Sequence, residues 1–186
     1  MGEASLTDHF LIAMPALADP NFSQTVTYVC EHNEDGALGI VINRPSGLTL
    51  NELFGHIGLE ETGSEAGDRA VYVGGPVQRE RGFVLHDTTR QWESTMAISD
   101  QVAITTSRDV LEALSRGGGP TRYLVALGYA GWGPGQLEQE MAENAWLSGP
   151  ADPAIIFERD NDERWRAAAA LLGVDLSLLS SDTGHA

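Results

Sequence analysis

The chain has 186 residues, is 42% hydrophobic and carries a formal net charge of −16, from 11 Lys and Arg against 27 Asp and Glu. A chain of this length suits one domain, which we expect to span residues 1–186 with a frayed tail at 180–186. Since nucleic-acid binding draws on cationic side chains that neutralise phosphates, the acidic charge argues against direct binding to DNA, RNA or an anionic membrane, and is compatible with a basic protein partner.

Strands dominate the predicted elements of the first part of the chain. Residues 9–14 form an apolar run that is typical of a buried strand. Two further runs rich in β-branched and apolar residues, 25–31 and 37–43, flank a polar turn that contains Asp35-Gly36, a dipeptide suited to a tight hairpin. We therefore predict that residues 24–43 fold back on themselves as antiparallel strands at the centre of the fold.

Helices and further strands follow without a repeating rhythm. Thr49 and Glu52 have the spacing of a capping box at the start of a helix. Helices are predicted at 50–57, at 108–116 with Ser107 as N-cap, at 134–144 and at 162–172. Strands are predicted at 70–74, 82–86, 96–98 and 122–129. Hairpins and isolated helices, rather than repeated βαβ units, predict an α+β fold with a mixed or antiparallel sheet.

The cellular compartment is predicted from the cysteine count and from two sequence features that the chain lacks, a signal peptide and a membrane-spanning segment. Cys30 is the one cysteine, so no internal disulfide can form. The N-terminal residues show neither the basic nor the long apolar region of a signal peptide, and no apolar run is long enough to cross a bilayer. We therefore expect a cytoplasmic protein without a membrane anchor.

Six segments resemble a known family when they are taken together. They are Phe10-Leu11-Ile12-Ala13-Met14-Pro15, Asp19-Pro20-Asn21-Phe22, Val29-Cys30-Glu31-His32-Asn33, Gly39-Ile40-Val41-Ile42-Asn43-Arg44-Pro45, Gly74-Gly75-Pro76-Val77, and Gly128-Tyr129-Ala130-Gly131-Trp132 with Gln136-Leu137-Glu138. In order and spacing they are similar to the bacterial YqgE/AlgH family, and the resemblance covers a core of about residues 6–172.

The resemblance implies a bifurcated sheet, part of it closed into a small barrel, surrounded by helices. Members of the family are often described as transcriptional regulators, through a genetic link to alginate production in pseudomonads. The acidic charge speaks against direct DNA binding as the basis of that role. The resemblance implies no defined activity, and we expect no cofactor.

Cys30 and His32 are the candidate catalytic or sensor residues. In a regular strand, alternate side chains share a face, so the two would lie about 6.6 Å apart on one face. An imidazole near the thiol would favour the nucleophilic thiolate. The alternative is that Cys30 is a small core residue, because no oxyanion donors or third orienting group accompany the pair. A metal site at His32, Glu34 and Asp35 is disfavoured, because all three lie in one polar turn.

The candidate ligand-binding residues lie at glycine-rich turns. Gly74 and Gly75 follow a strand, and their backbone N–H groups could cradle an anion, or the pair could simply make a tight turn. Gly131 and Trp132 precede a helix N-terminus, where a small anionic ligand could bind with Trp132 and Tyr129 as stacking surfaces. The alternative is a close crossing of two backbones.

Two charged residues complete the ligand-binding candidates. Arg44, held just before Pro45, could supply a counter-charge to an anionic ligand. Glu138 belongs to the family pattern on the following helix, although an acidic residue near a helix start is favoured without any function.

The leading hypothesis is a non-enzymatic, indirect regulator of transcription that acts through contacts with a protein or a small ligand. The alternative is a thiol-based sensor or enzyme centred on Cys30 and His32. Direct DNA regulation is a third possibility that depends on the family description alone. The oligomeric state and the pathway are not predicted.

Overall fold

The computed structural model describes residues 5–60 and 65–180. Within these ranges ten strands and six α-helices form a curled, mainly antiparallel sheet with flanking helices. The strands are β1 (His9–Ala13), β2 (Val26–Asn33), β3 (Gly36–Val41), β4 (Pro45–Thr49), β5 (Ala70–Val73), β6 (Val77–His86), β7 (Thr95–Ala97), β8 (Ala103–Thr105), β9 (Tyr123–Trp132) and β10 (Trp146–Pro150). The helices are α1 (Leu50–His56), α2 (Asp109–Ser115), α3 (Gln136–Ala142), α4 (Pro153–Phe157), α5 (Arg164–Ala170) and α6 (Leu176–Ser180), with a 3-10 helix at Glu65–Asp68.

The sheet branches at β9. Its strand order is β10-β1-β2-β3-β9-β6-β8-β7, and β4 and β5 form the branch. The first half of β9 pairs in parallel with β5 through Ala126 and Leu127, whereas its second half pairs antiparallel with β3 through Ala130 to Trp132. Gly128 lies between the two halves with φ of 81°, a conformation that a residue with a side chain rarely adopts. The predicted α+β class with a bifurcated, partly barrel-like sheet is confirmed, since the sheet curls into a half-barrel.

Three apolar clusters account for the packing of the sheet. The largest fills the inside of the curl with side chains such as Phe10, Tyr28 and Phe83, and α4 and α5 close it. The second packs α1 and α2 on the branch. The third, which includes Leu11, Trp132 and Trp146, lies under α3.

The predicted capping box of α1 is present. The Thr49 hydroxyl accepts from the backbone N–H of Glu52, and the Glu52 carboxylate accepts from the backbone N–H of Thr49. The predicted Ser107 cap of α2 is wrong. That helix has Arg108 at its N-cap with no side-chain cap, and the Ser107 hydroxyl donates to the Asp109 carboxylate instead.

The predicted hairpin of residues 24–43 is also present, but its first strand is irregular. β2 and β3 pair antiparallel, and Val29 lies opposite Gly39 whereas Glu31 lies opposite Leu38. Cys30 is therefore an extra residue in a β-bulge, which reverses the side-chain alternation beyond it. Among the described helices, none is long and apolar enough to cross a membrane.

Because of the bulge, the expectation that Cys30 and His32 share one face is wrong. Cys30 points into the cluster inside the curl, together with Tyr28. His32 lies on the other face, where its ring contacts Glu138 of α3. A one-residue change of register moves every following side chain to the opposite face, so the separation expected along a regular strand does not apply.

Candidate binding groove

A groove crosses the sheet where β2, β3 and β9 meet the edge of the curl. It consists of two adjoining cavities of about 370 Å³ and 170 Å³. Both are lined by Glu31, Leu38 and Tyr129, so they form one continuous depression, called here the β3–β9 groove. The larger cavity is further lined by Asn33, Asp35, Gly131 and Trp132, and the smaller by Cys30, Arg81, Phe83, Met96 and Ile104.

The floor of the larger cavity contains Gly131, which has no side chain. A Cβ atom at Gly131 would lie 3.3 Å from Cε2 of Tyr129, so the Tyr129 ring lies against the bare backbone. The Tyr129 ring also packs edge-to-face with Phe83, with ring centroids 5.7 Å apart. The absence of a side chain at Gly131 thus leaves room for the Tyr129 ring in the lining of the larger cavity.

The two ends of the groove differ in character. Glu31 and Asp35 are exposed, and their carboxylates make the rim of the larger cavity acidic. The smaller cavity is mainly apolar, and Met96 on the edge strand β7 is 46% exposed beside it. Arg81 lies over the Phe83 ring at 5.3 Å and is the basic residue that lines this part. The groove therefore presents an apolar pocket next to an acidic rim.

Cys30 forms part of the wall of the smaller cavity but is not an activated thiol. Its side chain is 2% exposed, and its Sγ lies 3.7 Å from the Tyr28 carbonyl, to which it donates. Burial, and then the charge of Glu31, raise the pKa of the Cys30 thiol far above its usual value. Since the thiolate is the nucleophilic form, this environment suppresses thiol chemistry.

On the face of the sheet opposite to Cys30, His32 connects the N-terminal segment, β2 and α3. Its Nδ1 accepts from the backbone N–H of Leu6 at 2.9 Å, so Nε2 carries the proton and donates to Oε2 of Glu138 at 3.0 Å. Its backbone also bonds the Thr7 and Ser5 hydroxyls. The hydrogen bond from the backbone N–H of Glu138 itself, and then that from His32, lower the pKa of the Glu138 carboxyl. Both ring nitrogens of His32 are therefore hydrogen-bonded. Together, His32 and Glu138 hold the N-terminal segment and α3 against β2.

Glu140 of α3 joins two tryptophans. The indole N–H groups of Trp132 and Trp146 both donate to Oε1 of Glu140 at 3.0 Å. Phe22 packs against both rings, with centroids 6.3 Å and 5.6 Å away. Trp132 is thus held in the cluster under α3, and it also lines the larger cavity of the groove.

Arg44 is engaged by the loop before β2. Its guanidinium donates to the carbonyls of Pro20 and Asn21 at 2.7 Å and of Ser23 at 2.9 Å. These contacts hold the loop against the start of β4, and Arg44 does not line the groove. Its proposed role as a counter-charge for a ligand has no geometric support.

Gly74 and Gly75 form a close backbone crossing. A Cβ at Gly74 would lie 2.3 Å from the Gly128 carbonyl oxygen, and one at Gly75 would lie 2.1 Å from the Tyr129 carbonyl carbon. The Gly74 N–H donates to the Leu127 carbonyl, and its carbonyl accepts from Val41. The two glycines therefore let β5 approach the branch point of β9, whereas the alternative to an anion cradle that the sequence suggested for them was a tight turn.

The sequence candidates are therefore divided between two faces. Gly131, Trp132 and Cys30 line the groove, whereas His32 and Glu138 pair behind it. Within residues 5–60 and 65–180, no group of three or more His, Cys, Asp or Glu side chains could hold a metal ion.

Sequence reasoning named Tyr129 as a stacking surface but missed Glu31 and Leu38, which also line both cavities. Glu31, Leu38 and Tyr129 converge only because of the bulge at Cys30 and the pairing of β3 with β9. No local motif signals this arrangement. The role of Glu140 had a signal, because two tryptophans near one helix need acceptors for their N–H groups when buried.

Comparisons with known proteins agree with this fold. The family model described as AlgH-like matches residues 10–177. A UPF0301 protein from Nitrosococcus oceani is 59% identical over 179 residues, which cover 96% of each chain. A UPF0301 protein from Methylococcus capsulatus is 57% identical over 180 residues, which cover 97% of this chain and 96% of the relative. The solution structure of the AlgH protein from Pseudomonas aeruginosa has a TM-score of 0.80 and 53% identity, with complete coverage of both chains. A crystal structure of a Corynebacterium diphtheriae protein, at a TM-score of 0.73 and 19% identity over 96% of this chain and 93% of its own, shares the fold.

Proposed function

The chain belongs to the AlgH-like family, and we propose that it is a non-enzymatic interaction protein that binds a short segment of a partner protein in the β3–β9 groove. The observation that supports this proposal is the continuity of the two cavities through Glu31, Leu38 and Tyr129. The two cavities offer neighbouring subsites for two side chains of one peptide.

The charge of the groove favours a basic segment. Glu31 and Asp35 give the larger cavity an acidic rim, and the whole chain carries a net charge of −16. A long-range field of this sign attracts a basic partner and raises its rate of association. A Lys or Arg side chain of the partner would pair with Glu31 while its aliphatic part lies on Tyr129.

The smaller cavity suits an apolar side chain. Phe83, Met96 and Ile104 provide apolar walls beside the edge strand β7. Anchoring of a large apolar residue in such a pocket, surrounded by polar contacts, is the usual source of affinity at small interfaces. The favoured ligand therefore has a basic residue next to a large aliphatic or aromatic one.

Binding rather than catalysis is supported by the state of the reactive groups. Burial raises the pKa of the Cys30 thiol, and the bulge separates it from His32. His32 and the buried His86 each use both ring nitrogens in hydrogen bonds. None of these side chains is arranged as a nucleophile with an adjacent base.

An effect on transcription would be indirect under this proposal. An acidic chain is repelled by phosphates, whereas it can bind a basic segment of a protein that itself acts on nucleic acid. Regulation would then follow from occupancy of that segment, in the cytoplasm.

Selection from a displayed random peptide library tests the proposal. On the wild-type chain we expect enrichment of peptides with Lys or Arg beside a large apolar residue. On Glu31→Lys that enrichment should disappear, whereas Glu93→Lys, an exposed acidic position outside the groove, should retain it. Selection of no consensus, or of one that both variants retain, would overturn the proposal.

A further inference from the structure

A much smaller cavity lies away from the groove, between the branch of the sheet and the C-terminal helices. Its volume is about 40 Å³, and Arg69, Tyr72, Tyr123, Phe157 and Arg164 are among its lining residues. A cavity needs about 10–15 Å³ on this measure for each water. The space thus accommodates a group the size of a few waters, such as a tetrahedral oxyanion.

The two arginines of this cavity lack carboxylate partners. None of the ion pairs between described residues involves Arg69 or Arg164. Arg164 is 5% exposed, and its Nε and one Nη1 hydrogen are engaged by the carbonyls of Arg159 and Ile42. The Arg164 guanidinium also makes a hydrogen bond to the Tyr72 side chain. A guanidinium has five N–H donors, so two of those of Arg164 are left for another acceptor.

The two arginines make this cavity positively charged, whereas the chain as a whole is strongly acidic. Arg164 lies over the Tyr72 ring at 5.1 Å, and Arg69 lies over the Tyr123 ring at 4.5 Å. Burial lowers the pKa of Arg164, and the nearby charge of Arg69 lowers it further, while Tyr72 and Asp160 act in the opposite direction. Two like charges held together over two aromatic rings would be stabilised by an anion between them.

The Tyr123 hydroxyl is a further unmatched group. Tyr123 is 8% exposed, and its hydroxyl is buried without a hydrogen-bond partner among the described residues. A buried polar group left unpaired destabilises the fold, so such a group calls for an acceptor or donor that fills the site. Tyr123, Arg69 and Arg164 are all among the residues that line this cavity.

We propose that this cavity binds the phosphoryl group of a small phosphorylated ligand, or inorganic phosphate, between Arg69 and Arg164, with the Tyr123 hydroxyl as a third donor. Phosphate carries a charge of about −1.5 to −2 at neutral pH and three or more strong acceptor oxygens, which match two guanidinium groups and a phenol. A carboxylate offers a single charge and a flat pair of oxygens, and would leave one arginine unmatched.

Isothermal titration of the full chain with inorganic phosphate tests this site, with acetate titrated at the same ionic strength. We expect saturable binding of one phosphate per chain and much weaker binding of acetate. Arg69 is exposed, so Arg69→Gln should fold and should weaken phosphate binding by roughly tenfold or more, since it removes a charged hydrogen bond. Arg79→Gln, another exposed arginine outside the cavity, is the matched control.

Tyr123→Phe provides a second, milder variant. It removes only the unpaired hydroxyl, so the free protein should be as stable as wild type or more stable, while phosphate binding weakens. A thermal shift with phosphate that is present in wild type and reduced in Tyr123→Phe would support the site.

Absence of saturable phosphate binding, equal affinity for acetate, or unchanged binding by both Arg69→Gln and Tyr123→Phe would each overturn the proposal. A small phosphate ester that binds more tightly than inorganic phosphate would identify the ligand as a phosphorylated compound, and the reverse order would identify it as free phosphate.

Discussion

His32 Nε2 lies 3.0 Å from Oε2 of Glu138, and this contact joins β2 to α3 across 106 residues of sequence. The side chain of His32 is 5% exposed and that of Glu138 is 29% exposed, so the imidazole is the partner that depends on the bond. The bulge at Cys30 therefore places Cys30 and His32 on opposite faces of the sheet, and the contact with Glu138 fixes His32 on its face.

Removal of the Glu138 carboxylate should destabilise the fold. Glu138→Ala leaves the buried Nε2–H of His32 without an acceptor, and we expect a loss of about 1–3 kcal/mol in the free energy of unfolding. Glu138→Gln keeps an acceptor oxygen and should cost less. Urea denaturation measures both, with Glu143→Ala, an exposed position at the C-terminal end of α3, expected within about 0.5 kcal/mol of wild type. Equal stability of Glu138→Ala and wild type would contradict this role.

The reactivity of Cys30 should follow its burial. Because burial raises the pKa of the thiol, the native chain should react with a thiol-specific dye more slowly than the urea-unfolded chain. The rate should still be rising with pH at about pH 8.5, the ordinary thiol pKa. A fast reaction that reaches a plateau below that pH would instead indicate an activated thiolate, and would restore the sensor hypothesis.

His86 should make stability depend on pH. Its ring is fully buried, Nδ1 donates to the Asp87 carbonyl, and Nε2 accepts from the Thr105 hydroxyl, both at 2.6 Å. Burial lowers the pKa of His86. The unfolded chain therefore binds the proton more readily, so stability should rise with pH until about pH 6.5, the unfolded value, and should fall as the pH drops below it.

Urea denaturation across that pH range measures the effect. His86→Gln removes the titrating group, so the variant should be less stable near neutral pH but should lose less stability on acidification than wild type. A variant whose stability falls as steeply as that of wild type below pH 6.5 would assign the dependence to other groups.

Arg44 should stabilise the loop before β2 rather than a ligand. Arg44→Lys cannot reproduce a planar fork that donates to three carbonyls, and we expect a loss of about 1–3 kcal/mol. Hydrogen exchange should show faster exchange in the loop that these carbonyls belong to, with little change in α3. Unchanged exchange there would show that the clamp does not order the loop.

Local signals predicted much of the fold. The hairpin around Asp35-Gly36 and the capping box of Thr49 and Glu52 were readable because a few neighbouring residues determine them. β4, β8 and β10 were not predicted, since Pro45–Thr49, Ala103–Thr105 and Trp146–Pro150 are short and are extended mainly because a neighbouring strand or branch pairs with them. That the chain is one domain stays a prediction.

The candidate site was less predictable than the fold. A bulge depends on how β3 and β9 meet β2, and no property of Cys30 itself signals that it is the extra residue. The groove therefore contains Cys30, Tyr129, Gly131 and Trp132 of the residues that the sequence indicated, but Glu31 and Leu38, which line both cavities, were not among them. The prediction of a frayed tail at 180–186 falls almost wholly outside the described residues.

The groove itself is tested most directly by filling it. A Cβ at Gly131 would press on Tyr129 at 3.3 Å, so Gly131→Val should push this ring into the groove, whereas Gly82→Val, at a strand position where a Cβ meets nothing within 4 Å, should not. The measurement is the dissociation constant of a library-selected basic and apolar peptide for the wild type and both variants. We predict that Gly131→Val weakens binding by about tenfold or more, in line with loss of a central contact, while Gly82→Val binds like wild type. Equal affinity of wild type and a folded Gly131→Val would contradict the assignment of the β3–β9 groove as the binding site.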